Sequence, residues 1–473
     1  MRQRRAPFSK IERWCLGATC CCGLLLLAAP LWWQSQKSTP LVSVPMPTLP
    51  NPNAFDIYTN ASGAIVQSRA LPYALLSPRP ASQLPQTFMR QPAPVPTPLG
   101  GPPPGTAPRG TPTIIAPAPL RALLPINRNY SPAEKASLVR QNAAALAMLR
   151  QGLQYPCWNP PARSFNMLFP GFANFRSMAQ LLALESQVKR ARRDWSGAIN
   201  SNLDGLQFGS DMQRGGVMVS ALVGISCEAI ARLQAWPTVE HLQAQQARAA
   251  AKKLESIVSR HVTAADVMRE EKWMGQASLM QLFTTRNWQQ QLAATMGTAP
   301  TWRSNLSFLF VDKKRVLDNY TRLLDVTIAN AKLPYRAPKQ PLPSPDDPVT
   351  QIIAPGFFNS QWSFAHNETE NGLLLLALAL RAYRLEQGAY PASLSQLSPR
   401  YVKTTPRDPL AHDLAFRYKV RGKDYALYSV GPDGKDDNGK PITGRGLGSS
   451  RRVVQQDDRG DIVAGFNTMQ SIF

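Results

Sequence analysis

The sequence predicts a multidomain chain: a single N-terminal transmembrane helix, a disordered proline-rich linker, an all-α domain, and a small α+β domain nearest the C-terminus. Three observations carry this. Residues 14–33 form an apolar run without a charge, 21 of the 43 prolines fall between residues 40 and 125, and the apolar spacing after residue 131 is helical until it becomes strand-like alternation near residue 414.

The basic tail, residues 1–13, carries Arg2, Arg4, Arg5, Lys10 and Arg13. It precedes Trp14 to Trp33, long enough to cross a hydrocarbon core, and a positive flank stays on the cytoplasmic side. Residues 14–33 therefore read as a signal anchor in a bacterial inner membrane, with everything after about Gln34 outside the cytoplasm. A cleaved signal peptide is the competing reading, but its apolar stretch is shorter and ends at a small-residue site, and Ala28-Ala-Pro30 is a poor one. Cys20 to Cys22 come ahead of Leu24 to Leu27, too early for a lipoprotein cleavage box, and read as apolar membrane residues.

Residues 34–125 include Pro92, Pro94, Pro96, Pro98 and Pro102-Pro-Pro104 and few charges. Proline fixes φ and removes a backbone donor, so a semi-rigid extended spacer is expected, reaching up to roughly 3 Å per residue. It would hold the folded part away from the membrane. A proline-recognition ligand is the functional alternative.

Folding is expected to resume in an α-helical domain, residues 126–335. Ser131-Pro-Ala-Glu134 combines an N-cap serine, a first-turn proline and an N3 glutamate, a helix start. The helical segments expected are 132–153, 176–194, 196–213, 217–235, 239–260, 264–283 and 312–332, with breaks at Pro156, Pro160-Pro161, Gly215-Gly216, Pro237 and Pro300. The pair meeting at Arg193-Asp-Trp-Ser-Gly-Ala198 resembles one tetratricopeptide-type hairpin, although no 34-residue repeat follows and an irregular bundle is the alternative. A second proline-rich linker, 336–349, leads to the last domain, 350–473.

That domain opens with the helical Leu373-Leu-Leu-Leu-Ala-Leu-Ala-Leu380 run, too short to span a bilayer and stopped by Gly388 and Pro391. Leu414, Phe416, Tyr418 and Val420 alternate as in a half-buried strand, Arg421-Gly-Lys-Asp424 turns the chain, and Tyr425 to Ser429 returns as its partner. An acidic glycine-rich loop follows, Gly431-Pro-Asp-Gly-Lys-Asp-Asp-Asn-Gly439. Carboxylates spaced by glycines can converge on a hard cation. The spacing is not that of an EF-hand, because with Asp433 first Lys435 would stand third. A plain solvated turn is the alternative.

In order, Ala379-Leu-Arg-Ala-Tyr-Arg-Leu-Glu-Gln-Gly-Ala-Tyr-Pro391, Arg407-Asp-Pro409, Tyr425-Ala-Leu-Tyr-Ser-Val-Gly-Pro-Asp-Gly434 and Gly460-Asp-Ile462 make this part of the chain similar to the soluble domain of the major pseudopilins of type II secretion, in the type IV pilin-like family. The resemblance implies a calcium ion in the loop after the last hairpin, on Asp433 and Asp461, with the Leu427 carbonyl as a further donor. Asp436 and Asp437 have no family counterpart and complete the acidic set. Two departures stand out: the stretch from Gly439 to Asp461 is long, and the methylated N-terminal pilin signature, needed for polymerisation, is missing.

The charge is +23, from 53 basic and 30 acidic residues, and within 131–335 there are 24 basic residues against 14 acidic. Small clusters sit at Lys189-Arg190-Ala-Arg-Arg193 and Lys313-Lys-Arg315. No nucleic-acid recognition module or aromatic stacking motif accompanies them, so anionic cell-wall polymers, a membrane surface or a solvated basic face are the readings. His241, His261, His366 and His412 have no triad or metal-ligand spacing, and no phosphate loop, nucleophile elbow or zincin motif occurs. Gly444-Arg-Gly-Leu-Gly448 reads as a loop. Cys157 and Cys227 are either one disulfide or two buried thiols. The expected role is non-catalytic: a membrane-anchored envelope protein that interacts or assembles with secretion or pilus-like machinery. An atypical pilin or pseudopilin subunit and an extracellular hydrolase are the alternatives.

Overall fold

The computed structural model describes residues 42–66, 130–164, 171–285, 287–295, 311–353, 360–443 and 454–469. They are mostly helical, with one small three-stranded sheet. The expected transmembrane helix 14–33, most of the proline-rich segment and the Gly444–Gly448 loop lie outside them.

The first helix, α1 (Ala54–Gly63), stands where the sequence predicts a disordered linker. Asn53 caps it, its side chain accepting from the Phe55 amide at 3.2 Å. Ala54, Tyr58 and Ala61 are buried, and the Tyr58 hydroxyl donates to Asp211 at 2.8 Å. The linker reading is thus corrected for residues 42–66. Their apolar side chains recur at three and four residues, a helical face that the surrounding prolines obscured.

The helical region then runs through α2 (Pro132–Gln141), α3 (Ala143–Gly152), α4 (Phe172–Ala191), α5 (Trp195–Asp211), α6 (Met218–Val239), α7 (Ala244–Val258), α8 (Ala264–Thr284), α9 (Trp288–Thr295) and α10 (Lys313–Ala331). The capping box at Ser131 forms, the Ser131 amide donating to Glu134 at 2.7 Å and the Glu134 amide to Ser131 Oγ at 3.2 Å. Asn142 interrupts the expected 132–153 helix, its side chain bonding Val66 through both amide and carbonyl. The α4–α5 turn falls where expected, at Arg193 in the left-handed region (φ 60°) and Asp194, which caps α5 through the Gly197 amide at 2.8 Å. Pro237 lies inside α6 instead of ending it. Helices α5 and α6 touch backbone to backbone at Gly209 and Gly224, where an added Cβ would meet the opposing carbonyl at 2.6 and 2.4 Å.

After α11 (Pro348–Ile353) comes α12 (Ser360–Gln387), ending at Gly388 with φ +82°. Every residue from Leu373 to Leu380 is buried, so this stretch is covered on all sides. Strands β1 (Arg417–Arg421) and β2 (Asp424–Ser429) pair antiparallel about the Gly422-Lys423 turn, and β3 (Ile462–Val463) pairs antiparallel with β2. One hydrophobic cluster joins Ile199 to Ile257 of the helical region with Ala365 to Ile462 of the C-terminal part. Two further clusters lie beneath α1–α6 and between α8 and α10. The expected linker 336–349 is bonded to its surroundings: Asn330 and Gln340 exchange two hydrogen bonds, and Lys339 donates to the carbonyls of Asn330, Leu333 and Pro334.

Helix α6 is long and apolar enough to cross a membrane. It carries Glu228 and Arg232, both buried, and packs in the middle of the fold as a core helix.

Candidate functional site

The acidic loop forms directly after β2. Asp461, at the start of β3, is fully buried and accepts from two loop amides, Asp437 at 3.3 Å and Gly439 at 2.7 Å. The long stretch between Gly439 and Asp461 therefore does return its carboxylate to the loop. Burial raises the Asp461 carboxyl above the ordinary carboxylate value despite these amides, and Asp436 and Asp437 push it the same way. Asp436 accepts from the Tyr428 hydroxyl at 3.0 Å, from Arg417 Nε at 3.2 Å and from the Asn438 amide at 2.9 Å. Asp437 is exposed.

The other two expected donors face other partners. Asp433 accepts from the Lys435 amide at 3.2 Å, a local turn contact, and the Leu427 carbonyl accepts from the Ala464 amide at 3.0 Å. Arg336 meets the carbonyls beside Asp433: it donates to Gly431 at 3.2 Å, to Pro432, and to Leu410 at 3.0 Å. Of the expected donors, Asp461, Asp436 and Asp437 belong to the same loop, with Asp461 held by the Asp437 and Gly439 amides and Asp436 by Arg417 and Tyr428, while Asp433 and Leu427 face other partners. Among the described residues no group of three or more metal-ligating side chains is already gathered.

The Arg407-Asp-Pro409 signature serves a structural end. Asp408 is buried, accepts from Ser429 Oγ at 2.9 Å and the Leu410 amide at 3.0 Å, and fastens that turn to the end of β2. Burial pushes its carboxyl up to about 6.

A buried polar cluster among the described residues was not legible as a site. It lies between α6, α12 and the residues before α8. Arg232 donates Nε to Glu370 at 2.9 Å and Nη1 to the side-chain carbonyls of Asn367 at 2.9 Å and Asn371 at 2.8 Å, and Nη2 also pairs with Glu370. The two asparagine amides donate onward to Glu228 at 3.0 and 2.6 Å, and Gln213 donates to the other Glu228 oxygen at 2.5 Å. His261 Nε2 stands 3.3 Å from Glu228 and His366 Nε2 3.6 Å from Glu370. Burial works against charge on both members of the first pair, but each outweighs it for the other: His261 holds Glu228 below the usual carboxylate range, and Glu228 raises His261. Burial lowers His366, which stacks on Trp362 with centroids 5.1 Å apart.

Chemically this is a closed clamp. Arginine and histidine charge is matched by two glutamates, and the asparagines relay between them, so helix α12 has one register against α6. Two of the four scattered histidines thus belong to one network. Its sequence signals were Glu228 and Arg232, four apart in an apolar helix, and Asn367, Glu370 and Asn371 on one face just before the leucine run. His241 instead stacks on Trp195 at 4.0 Å beside Lys135 and Arg190, lining a shallow basic groove, and His412 is exposed. Cys157 and Cys227 are two buried free thiols.

No protein-family model, curated protein or solved structure matches the chain.

Proposed function

We propose that this chain is a single-pass envelope protein of the bacterial inner membrane, whose pseudopilin-like C-terminal unit is carried as a fixed head on a helical body. Its role is interaction or assembly beside a type II secretion or pilus-like machine. The observation that carries this reading is the enclosure of α12. Its leucine run is buried on every side, and the Arg232 clamp fixes it to the body. A polymerising subunit needs a long helix free to pack against its neighbours, so enclosure favours a scaffold over a filament subunit.

The basic groove of Lys135, Arg190, Trp195 and His241 suits an anionic partner such as a cell-wall polymer. Calcium belongs to the same proposal, on Asp461, Asp436 and Asp437: burial raises the Asp461 carboxyl first and its two acidic neighbours add to that, and a cation would offset both.

Membrane fractionation with filament shearing tests the proposal. The protein should stay in the membrane pellet through carbonate extraction and be missing from sheared filaments. Recovery in the filaments would make it a pilin-type subunit, and release by carbonate would remove the anchor.

A further inference from the structure

Residues 42–54 limit how far the body can stand from the anchor. The Val42 amide approaches the Met280 sulfur at 3.3 Å on α8, and Val42 packs on the α8–α10 cluster. The Pro45 carbonyl accepts from Arg163 at 2.8 Å. Asn53 exchanges two hydrogen bonds with the Trp158 backbone, at 2.9 and 3.0 Å, and the Ala54 amide donates to Pro156 at 3.0 Å. The chain is therefore seated on the body from Val42 onward. Between Trp33, the end of the expected membrane span, and Val42 stand only residues 34–41, which reach at most about 30 Å when fully extended.

The proline-rich segment does not lie between membrane and body. It leaves the body at Val66, held by Asn142 at 2.7 and 3.0 Å, and rejoins it at the Ser131 cap of α2. Both of its ends are on the same folded unit, so it cannot lengthen the tether. Near the entry point, Met46 and Leu49 are exposed, at 68% and 39%. In the Lys313-Lys-Arg315 cluster Lys314 pairs with Asp318 and Arg315 with Asp346, which leaves the short tether and these apolar side chains to set the orientation.

We infer that residues 42–50 hold the body against the bilayer that residues 14–33 cross, with Met46 and Leu49 at its headgroup layer. This rests on the membrane-anchor reading above, and it replaces a long stalk with a membrane-proximal body.

The test uses the full chain in lipid nanodiscs, with Cys15, Cys20, Cys21 and Cys22 changed to alanine so that only an introduced cysteine takes a fluorophore. Met46→Cys and Lys423→Cys are compared using lipids spin-labelled at the headgroup. Quenching at position 46 should exceed that at the hairpin turn severalfold, and replacing residues 67–129 by roughly a dozen Gly/Ser residues should leave it unchanged. Equal or absent quenching at position 46 in a carbonate-resistant protein would overturn the proximity while leaving the anchor. Loss of quenching on replacing 67–129 would restore the stalk. Release of the protein by carbonate would overturn both readings.

Discussion

Arg232 of α6 reaches Glu370 of α12 across the centre of the molecule, Nε to Oε2 at 2.9 Å, and both side chains are buried. The contact joins residues 138 apart in sequence and ties the C-terminal unit to the helical body. Arg232→Ala would leave Glu370 without its cation and Asn367 and Asn371 without a donor. A loss of about 3–5 kcal/mol is expected in urea unfolding, in a single transition for body and head together. A loss below about 1 kcal/mol, or two separate transitions, would show that the clamp does not couple them.

Glu271 of α8 accepts from the Met218 amide at 2.6 Å and so caps α6 from outside that helix. Burial pushes its carboxyl up to about 7 from an ordinary 4.5. Between those values the folded protein holds a proton that the unfolded chain has lost. Its contribution to stability is therefore fully present below about 4.5 and lost as pH rises through about 7. Glu271→Gln keeps the acceptor without the charge. Relative to the parent it should gain roughly 2–3 kcal/mol at alkaline pH over its value in mild acid. An identical difference at both pH values would contradict the buried-carboxylate account.

Tyr58 tests whether α1 belongs to the body. Tyr58→Phe removes the hydroxyl that donates to the buried Asp211 and should cost about 1–3 kcal/mol. Tyr58→Ala should cost about 3–5 kcal/mol by opening a cavity against Phe208, whose ring meets the Tyr58 ring edge-on at 5.0 Å. Unchanged unfolding midpoints would return residues 42–66 to the linker.

What the sequence made legible was local. The Ser131 box, the helix break within Arg193–Ala198, the Gly388 stop and the Gly422-Lys423 hairpin each depend on a few adjacent residues, and each forms. Helix α1 was hidden because proline density was read over a long window, while its own ten residues contain none. The shared core of α12 and the helical body depends on which apolar faces meet, and a leucine run does not name its partner. For the site, the return of Asp461 to the loop follows the expected order of motifs. The turning of Asp433 toward Lys435, and the use of Arg336 on the neighbouring carbonyls, depend on tertiary contacts that spacing does not encode. The Glu228–His261 pair, 33 residues apart, was likewise beyond any local motif.

Asp461 separates a metal site from a backbone staple. With calcium in excess the protein should melt at a higher temperature than with chelator, by a mass-action term of about 2.7 kcal/mol at a hundredfold over the dissociation constant. Asp461→Ala should abolish that difference, and Asp433→Ala should leave most of it, because Asp433 turns to the Lys435 amide. Identical melting with and without calcium would leave Asp461 as an anion that only fastens the Asp437 and Gly439 amides.

The most direct test of an anchored envelope protein is protease added to intact spheroplasts carrying the chain with a C-terminal epitope. The account predicts loss of the epitope, a mature chain that keeps residues 1–33, and full protection only of what precedes about Gln34. An epitope that survives in intact spheroplasts and is lost only on lysis, or a mature chain beginning after Ala29, would contradict it.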